Sequence, residues 1–250
     1  MTPDDLCTAI DRLAVGDYAS FGGRLVGSQD TRATIPAEAL LDVAMREAIE
    51  RRFALRFDAF DRRAVHSIWM KWYLNAFIPP VLLADVLLAR SIAVELPALR
   101  FILAEDGRVG AIKISGVRES SGEDPFRRFK PLIFDHFAPL IAMWCAGTDI
   151  TARVFWSNVG NTFEAMLRRI EAVSGPSPRL AEAQRLLDEP DWLGEPNPLF
   201  GAIHYVAENG AAVRQRRVCC LQYLLPDRRF CKACPVEEAR EHFRHIGKTS

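Results

Sequence analysis

Residues 62–77 read Arg62-Arg-Ala-Val-His-Ser-Ile-Trp-Met-Lys-Trp-Tyr-Leu-Asn-Ala-Phe77. Val65, Ile68, Trp69, Trp72 and Ala76 recur at i, i+3, i+4, i+7 and i+11, which is the spacing of one face of an α-helix. The aromatic stripe Trp69, Trp72, Tyr73 and Phe77 reads as core. Pro79-Pro80 is expected to end this helix, because proline cannot donate to the backbone ladder and crowds the preceding turn. A second helix is expected over residues 81–92. The wider apolar stretch from Asn75 to Pro97 carries Asp85, Arg90 and Glu95. A bilayer span needs about 20 apolar residues with few or no charges, so the stretch reads as a pair of core helices.

Helical spacing also appears upstream, over residues 36–56, where Pro36 suits a first turn and Leu40, Leu41, Ala44, Ala48 and Ile49 form the apolar face. Downstream the period changes. Leu99–Ala104 and Val109–Ile114 are β-rich runs flanking Glu105-Asp106-Gly107-Arg108, and Asp-Gly is a hairpin signal. Phe21–Val26 is a candidate further strand. Residues 126–173 return to helical spacing, with interruptions expected near Gly147-Thr148-Asp149 and near Ser157-Asn158. A helix starting near Asn161 would use asparagine as its cap. A short helix is expected at Pro178–Asp188, between two Pro/Gly-rich joints. The fold class that results is α+β: a mainly α-helical body with a small antiparallel sheet or hairpin, and a C-terminal cysteine-rich cluster-binding module. The division is drawn as residues 1–210 and 211–250.

The 250 residues carry 32 Lys+Arg against 32 Asp+Glu, so no overall charge draws the chain to nucleic acid or a membrane. Met-Thr-Pro-Asp-Asp at the start lacks the basic and apolar runs of a signal peptide. A cytoplasmic protein without a transmembrane segment is expected, with peripheral association near an importer left open. Six cysteines are too few for a disulfide scaffold.

Four of them fall together as Cys219-Cys220-x10-Cys231-x2-Cys234, followed by Pro235. Four thiolates in one loop suit a soft metal or an iron–sulfur cluster. Adjacent Cys219 and Cys220 make a poor zinc knuckle, since neighbouring side chains of an extended chain point apart, and joint ligation would need a sharp backbone bend. Pro235 suits the first position of a helix carrying Glu237 and Glu238 and running to about His245, which places Cys234 at a helix N-terminus. Residues 211–250 hold nine Lys/Arg and four Asp/Glu. Arg214, Arg216, Arg217, Arg228, Arg229 and Lys232 would offset an anionic centre. Structural zinc remains the main alternative. A vicinal disulfide is another, and a thioredoxin-like C-x-x-C lacks the βαβ unit it requires. Cys7 and Cys145 read as packing residues. His242 and His245 read as surface groups or neighbours of the cysteine site.

The C-C-x10-C-x2-C ending resembles the signature of the FhuF family of cytoplasmic ferric-siderophore reductases. Arg153-Val-Phe-Trp156-Ser157-Asn158-Val-Gly-Asn161 resembles that family's Trp-Ser/Gly-Asn segment, and Ser67-Ile-Trp69-Met-Lys71-Trp72 its aromatic helix. The family is also similar to the C-terminal region of aerobactin-type siderophore synthetases. The resemblance implies a [2Fe-2S] cluster on Cys219, Cys220, Cys231 and Cys234. It implies one-electron reduction of a ferric siderophore, hydroxamate-type by expectation, releasing Fe(II). Arg153, Trp156, Asn158, Asn161, Arg216, Arg217 and Arg228 are candidate substrate or supporting residues. With no G-x-G-x-x-G or flavin motif, electrons are expected from a ferredoxin or an NAD(P)H-dependent reductase. A cluster-bearing sensor or carrier and a zinc-stabilised helical module are the readings of other classes.

Overall fold

The computed structural model describes residues 1–237 apart from 59, 121, 123, 209 and 227. The helices are α1 (Pro3–Leu13), α2 (Val43–Ala54), α3 (Arg62–Leu88), α4 (Pro125–Lys130), α5 (Ala138–Cys145), α6 (Ala152–Ser174) and α7 (Pro178–Asp188). A four-stranded sheet in the order β1-β5-β4-β2 joins β1 (Leu25–Val26), β2 (Ile35–Pro36), β4 (Leu99–Leu103) and β5 (Val109–Ile114). Three separate two-stranded sheets pair β3 (Arg90–Ile92) with β6 (Val117–Glu119), β7 (Asp191–Trp192) with β8 (Glu195–Pro196), and β9 (Ile203–Glu208) with β10 (Ala211–Arg216). The α+β class holds, with helices predominating.

α3 is the axis of the molecule, and α6 packs along it. Trp69, Tyr73 and Phe77 are buried, and Trp69 stacks on Trp144 of α5 with centroids 4.2 Å apart. Trp69 Nε1 also donates to the Gly107 carbonyl at 2.9 Å, which pins the β4–β5 turn to the helix. That hairpin forms as the Asp-Gly step predicts: Leu99 faces Ile114, Phe101 faces Ile112, and Gly107 takes φ +78°.

Several boundaries differ from the sequence reading. α3 does not stop at Pro79-Pro80 but runs through both prolines to Leu88, where Ala89 closes it in a left-handed conformation. Burial on several sides holds the helix together where propensity would break it. Neither proline can donate, so the carbonyls of Asn75 and Ala76 lose their helical partners. The expected helix 81–92 is therefore the end of α3 followed by β3. Trp72 is not core: it is 38% exposed. The 36–56 helix is split, because Asp42 caps α2 by accepting from Met45 N, and a 3-10 turn spans Ala37–Leu41 before it. A 3-10 turn, Gly16–Phe21, takes the first residue of the expected Phe21–Val26 strand, and β1 pairs parallel with β5. α6 starts after Thr151 and runs unbroken through Ser157-Asn158, so Asn161 lies mid-helix and caps nothing. The break near Gly147 and the helix Pro178–Asp188 are as expected. α3 has the length and hydropathy of a membrane span, but most of it is buried against other elements. The helix expected beyond Pro235, with Glu238, His242 and His245, lies outside the described residues.

Between α4 and α5 the chain forms a π-helical turn, Pro131–Phe137, containing fully buried His136. His136 Nδ1–H donates to the Val94 carbonyl at 2.6 Å, and Nε2 accepts from the Tyr73 hydroxyl. Burial pushes its pKa down to about 3. The unfolded chain binds this proton below its ordinary value of 6.5 and the folded chain does not, so the contribution is complete above pH 6.5 and declines toward pH 3. Stability should fall by up to about 1.4 kcal/mol per pH unit across that window from this residue alone. His136→Gln should flatten the acid limb between about pH 6 and 4. Urea melts at a series of pH values check it, and an unchanged slope refutes it.

Candidate metal centre and the adjoining cleft

The four cysteines sit at the end of the β9–β10 hairpin, against α3 and α6. Tyr205 Oη donates to Glu164 Oε1 at 2.7 Å, and Arg214 Nε donates to Glu164 Oε2 at 2.6 Å. Arg214 also donates to Asn161 Oδ1 at 3.2 Å. These contacts lay β10 along α6. Past β10, Arg217 N donates to the Ala202 carbonyl and Arg216 N to the Ala233 carbonyl. The second bond folds the Cys231–Cys234 turn back beside Cys219 and Cys220, and Cys234 N closes that turn on the Cys231 carbonyl at 2.9 Å.

Two serines hold the first cysteine pair by its backbone. Ser67 Oγ of α3 donates to the Cys220 carbonyl at 2.9 Å, and Ser157 Oγ of α6 to the Val218 carbonyl at 3.2 Å. Asn158, fully buried, joins these supports. Its Nδ2 donates to Ser67 Oγ at 3.0 Å, and its Oδ1 accepts from Arg216 Nη2. The Trp-Ser-Asn segment and the aromatic helix thus meet at the cysteines.

One pair of thiols is in contact: Cys220 Sγ lies 3.8 Å from Cys231 Sγ, with Cys219 and Cys234 as neighbours. Leu221 takes a left-handed conformation at φ 61° and directs its N–H to Cys219 Sγ at 3.3 Å. Two thiolates on one tetrahedral metal with bonds of about 2.3 Å stand about 3.8 Å apart, so the Cys220–Cys231 spacing already matches a shared metal. Among the described residues no three His, Cys, Asp or Glu side chains converge on a single point. A thiol set of this kind fits a soft metal or an iron–sulfur centre.

The surroundings are cationic. Arg216 is 1% exposed, its Nε has no hydrogen-bond partner among the described residues, and it lies beside Cys220, Cys231 and Cys219. Burial lowers its pKa while the neighbouring cysteines raise it. Lys71 Nζ lies 3.8 Å from Cys220 Sγ and donates to Gln222 Oε1 at 3.1 Å. The hydrogen bond with Cys231, then Lys71 and Arg216, bring Cys220 down to about 5, whereas burial pushes Cys219 up to about 12. Cys231, donor to its partner, is raised.

Not every candidate lies here. Arg217 turns away to cover Gly201, Arg153 is exposed at the start of α6, and Trp156 is packed partly against the core. Arg228 lines a cavity of about 140 Å³ with Ile68, Lys71, Trp72, Asn75 and Gln222. Trp72 and Asn75 also line a larger cleft of about 450 Å³, whose wall includes Arg24, Arg108, Asn161 and Arg169. Sequence reasoning missed Ser67, Lys71, Arg24, Arg108 and Arg169. Lys71, a lone cation on an otherwise apolar helical stretch, was the one visible signal.

Residues 67–213 match the family described as ferric iron reductase FhuF-like transporter. The chain belongs to the FhuF family. The match spans more than half the chain and stops before Cys219, so FhuF membership rests on the body and not on the cysteines. The chain is 26% identical over 180 residues to the ferric siderophore reductase of Escherichia coli K12, covering 71% of this chain and 67% of that protein. Its fold is similar to that of ATP-bound aerobactin synthetase IucA from Klebsiella pneumoniae, at 11% identity and a TM-score of 0.57 over 80% of this chain. A second structure of that synthetase gives 12% and 0.58 over 79%. This FhuF chain spans about half the length of the synthetase, 49% in each case.

Asn158→Leu should leave Ser67 and Arg216 without their buried partner and cost about 2–4 kcal/mol. Urea denaturation measures it, and an unchanged midpoint would show that the network carries no stability.

Proposed function

We propose that this chain is a cytoplasmic ferric-siderophore reductase whose [2Fe-2S] cluster is held by Cys219, Cys220, Cys231 and Cys234. The observation that carries the reading is the Cys220–Cys231 contact at shared-metal spacing, with buried Arg216 and Lys71 beside it. The body's match to the FhuF family and the printed function of the Escherichia coli relative support it. All six cysteines are free thiols, in keeping with a reducing compartment.

A bound cluster of this kind supplies a reversible one-electron site. The chain's residues do the rest. Ser67 and Ser157 fix the backbone on either side of Cys219, and the Leu221 N–H directed at Cys219 Sγ favours the thiolate. Lys71 and Arg216 offset thiolate charge, which favours the reduced state. The substrate is Fe(III) in a hard-oxygen chelate, hydroxamate-type in this reading. One electron converts it to Fe(II), which those oxygens hold less tightly, and the metal leaves. This electron transfer needs no general acid or base. The electron is replaced by a separate ferredoxin or NAD(P)H-dependent reductase, for which exposed Arg217, Arg228 and Arg229 offer a basic docking surface.

Anaerobically purified protein should contain two irons and two sulfides per chain, about −2 in formal charge with its four thiolates, and bleach with dithionite. Cys219→Ser, Cys220→Ser, Cys231→Ser and Cys234→Ser should each lose the native spectrum and iron release, while Cys145→Ser keeps both. A colourless protein holding one zinc overturns the assignment. A cluster that is reduced yet releases no iron from a ferric hydroxamate identifies a carrier or sensor. Lys71→Met should lower the reduction potential by on the order of tens of mV, since one cation is lost beside Cys220. A potentiometric titration giving an unchanged or higher potential removes that role from Lys71.

A further inference from the structure

The 450 Å³ cleft is within the size range of small-molecule sites. Its wall contains three arginines and, among the described lining residues, no Asp or Glu. Arg24 donates from Nη1 to the Gly110 carbonyl at 3.0 Å and from Nε to the Ser20 carbonyl at 3.4 Å. Arg169 donates from Nη1 to the Asp17 carbonyl at 3.2 Å and sits over the Phe21 ring, 5.4 Å from its centre. Both guanidinium groups are held by backbone oxygens, and neither has a carboxylate within ion-pair range among the described residues. Each has five N–H donors, so several remain for a ligand. Arg108 differs: it pairs with Asp106 at 2.7 Å and stacks over Trp72 at 4.4 Å, forming a flat aromatic–cation wall.

The cleft adjoins the cysteines through α3. Trp72 and Asn75 face both the cleft and the smaller cavity that holds Lys71, whose ammonium touches Cys220. The carbonyls of Asn75 and Ala76, released by Pro79 and Pro80, belong to cleft-lining residues.

From this charge pattern we propose that the cleft binds ferric chelates of net negative charge, hydroxamate complexes that also carry carboxylate groups, in preference to neutral ones. The inference rests on the reductase reading and names the substrate class for it. Three hydroxamates bring three negative charges and leave an Fe(III) complex neutral. Replacing one with an α-hydroxycarboxylate that bears a further carboxylate leaves negative charge over. Such a carboxylate accepts two parallel N–H bonds from a guanidinium, which a neutral complex cannot use. Arg24 and Arg169 are the specificity-determining residues, and Arg108 with Trp72 is the packing wall.

Gallium(III) forms the same complexes as Fe(III) but takes no electron, so it separates binding from reduction. Calorimetric titration of the full cluster-loaded protein should show the gallium complex of a citrate-centred dihydroxamate with free carboxylates on its arms binding about tenfold or more tighter than that of a neutral linear trihydroxamate. Arg24→Gln with Arg169→Gln should erase that margin and leave neutral binding within about twofold, and lysine at both positions should restore part of it. Ala165→Phe, which fills the cleft wall, should weaken both complexes. If the double variant fails to fold, salt titration of the wild type decides, because a charge-based margin shrinks as salt rises. Equal affinities, a margin that survives loss of both arginines or is insensitive to salt, or full binding by Ala165→Phe would each overturn the proposal. Iron release without charge selectivity refutes the cleft assignment alone. Charge-selective gallium binding without iron release refutes the reductase reading instead.

Discussion

The buried hydrogen-bond chain Ser67–Asn158–Arg216 ties the two longest helices to the strand that leads into the cysteines. Its members come from three distant parts of the sequence, and each satisfies another: Asn158 donates to Ser67 and accepts from Arg216, and Ser67 donates onward to the Cys220 carbonyl. A buried guanidinium is costly unless opposite charge and hydrogen bonds surround it. Asn158 and Ser157 supply hydrogen bonds, and Cys220, whose pKa is lowered, is the foremost opposite charge. The position of the cysteines and the burial of Arg216 are therefore one arrangement.

α3 serves two sites with residues one turn apart. Ser67 and Lys71 face the cysteine loop, while Trp72 and Asn75 open onto the cavities beside it. At 1.5 Å rise per residue, Lys71 and Asn75 are separated by only about 6 Å along the axis. A cysteine site and a cleft on one helix keep a fixed spacing, which is what the proposed single-electron step asks for. The likeness to aerobactin synthetase shows how far the body's fold extends, and the chemistry resides in the side chains grafted on it.

What could be read from sequence followed the locality of each signal. The Asp106-Gly107 turn and the helix Pro178–Asp188 are set by neighbouring residues, and both appear where local chemistry puts them. Pro79-Pro80 misled because a breaker rule is local, whereas Ile78, Leu82 and Leu83 are locked by packing from elsewhere. Ser157-Asn158 looked like an interruption because both residues disfavour helix interiors. They are kept there to bond across to α3 and β10. The cysteine spacing signalled thiol chemistry, and the Cys220–Cys231 contact needed coordinates. The cleft was not legible at all: Arg24, Arg108 and Arg169 are far apart in the chain and carry no pattern until the fold gathers them.

The order of these parts along the chain has a consequence for how the protein is made. α3 and α6, with Ser67, Ser157 and Asn158, leave the ribosome before Cys219, and the last thiol follows at position 234. Domains fold as units from the N-terminal side during synthesis. The bed of serine and asparagine donors is thus laid before Cys219, Cys220, Cys231 and Cys234 can reach it, and their capture is a late step on a body already in shape.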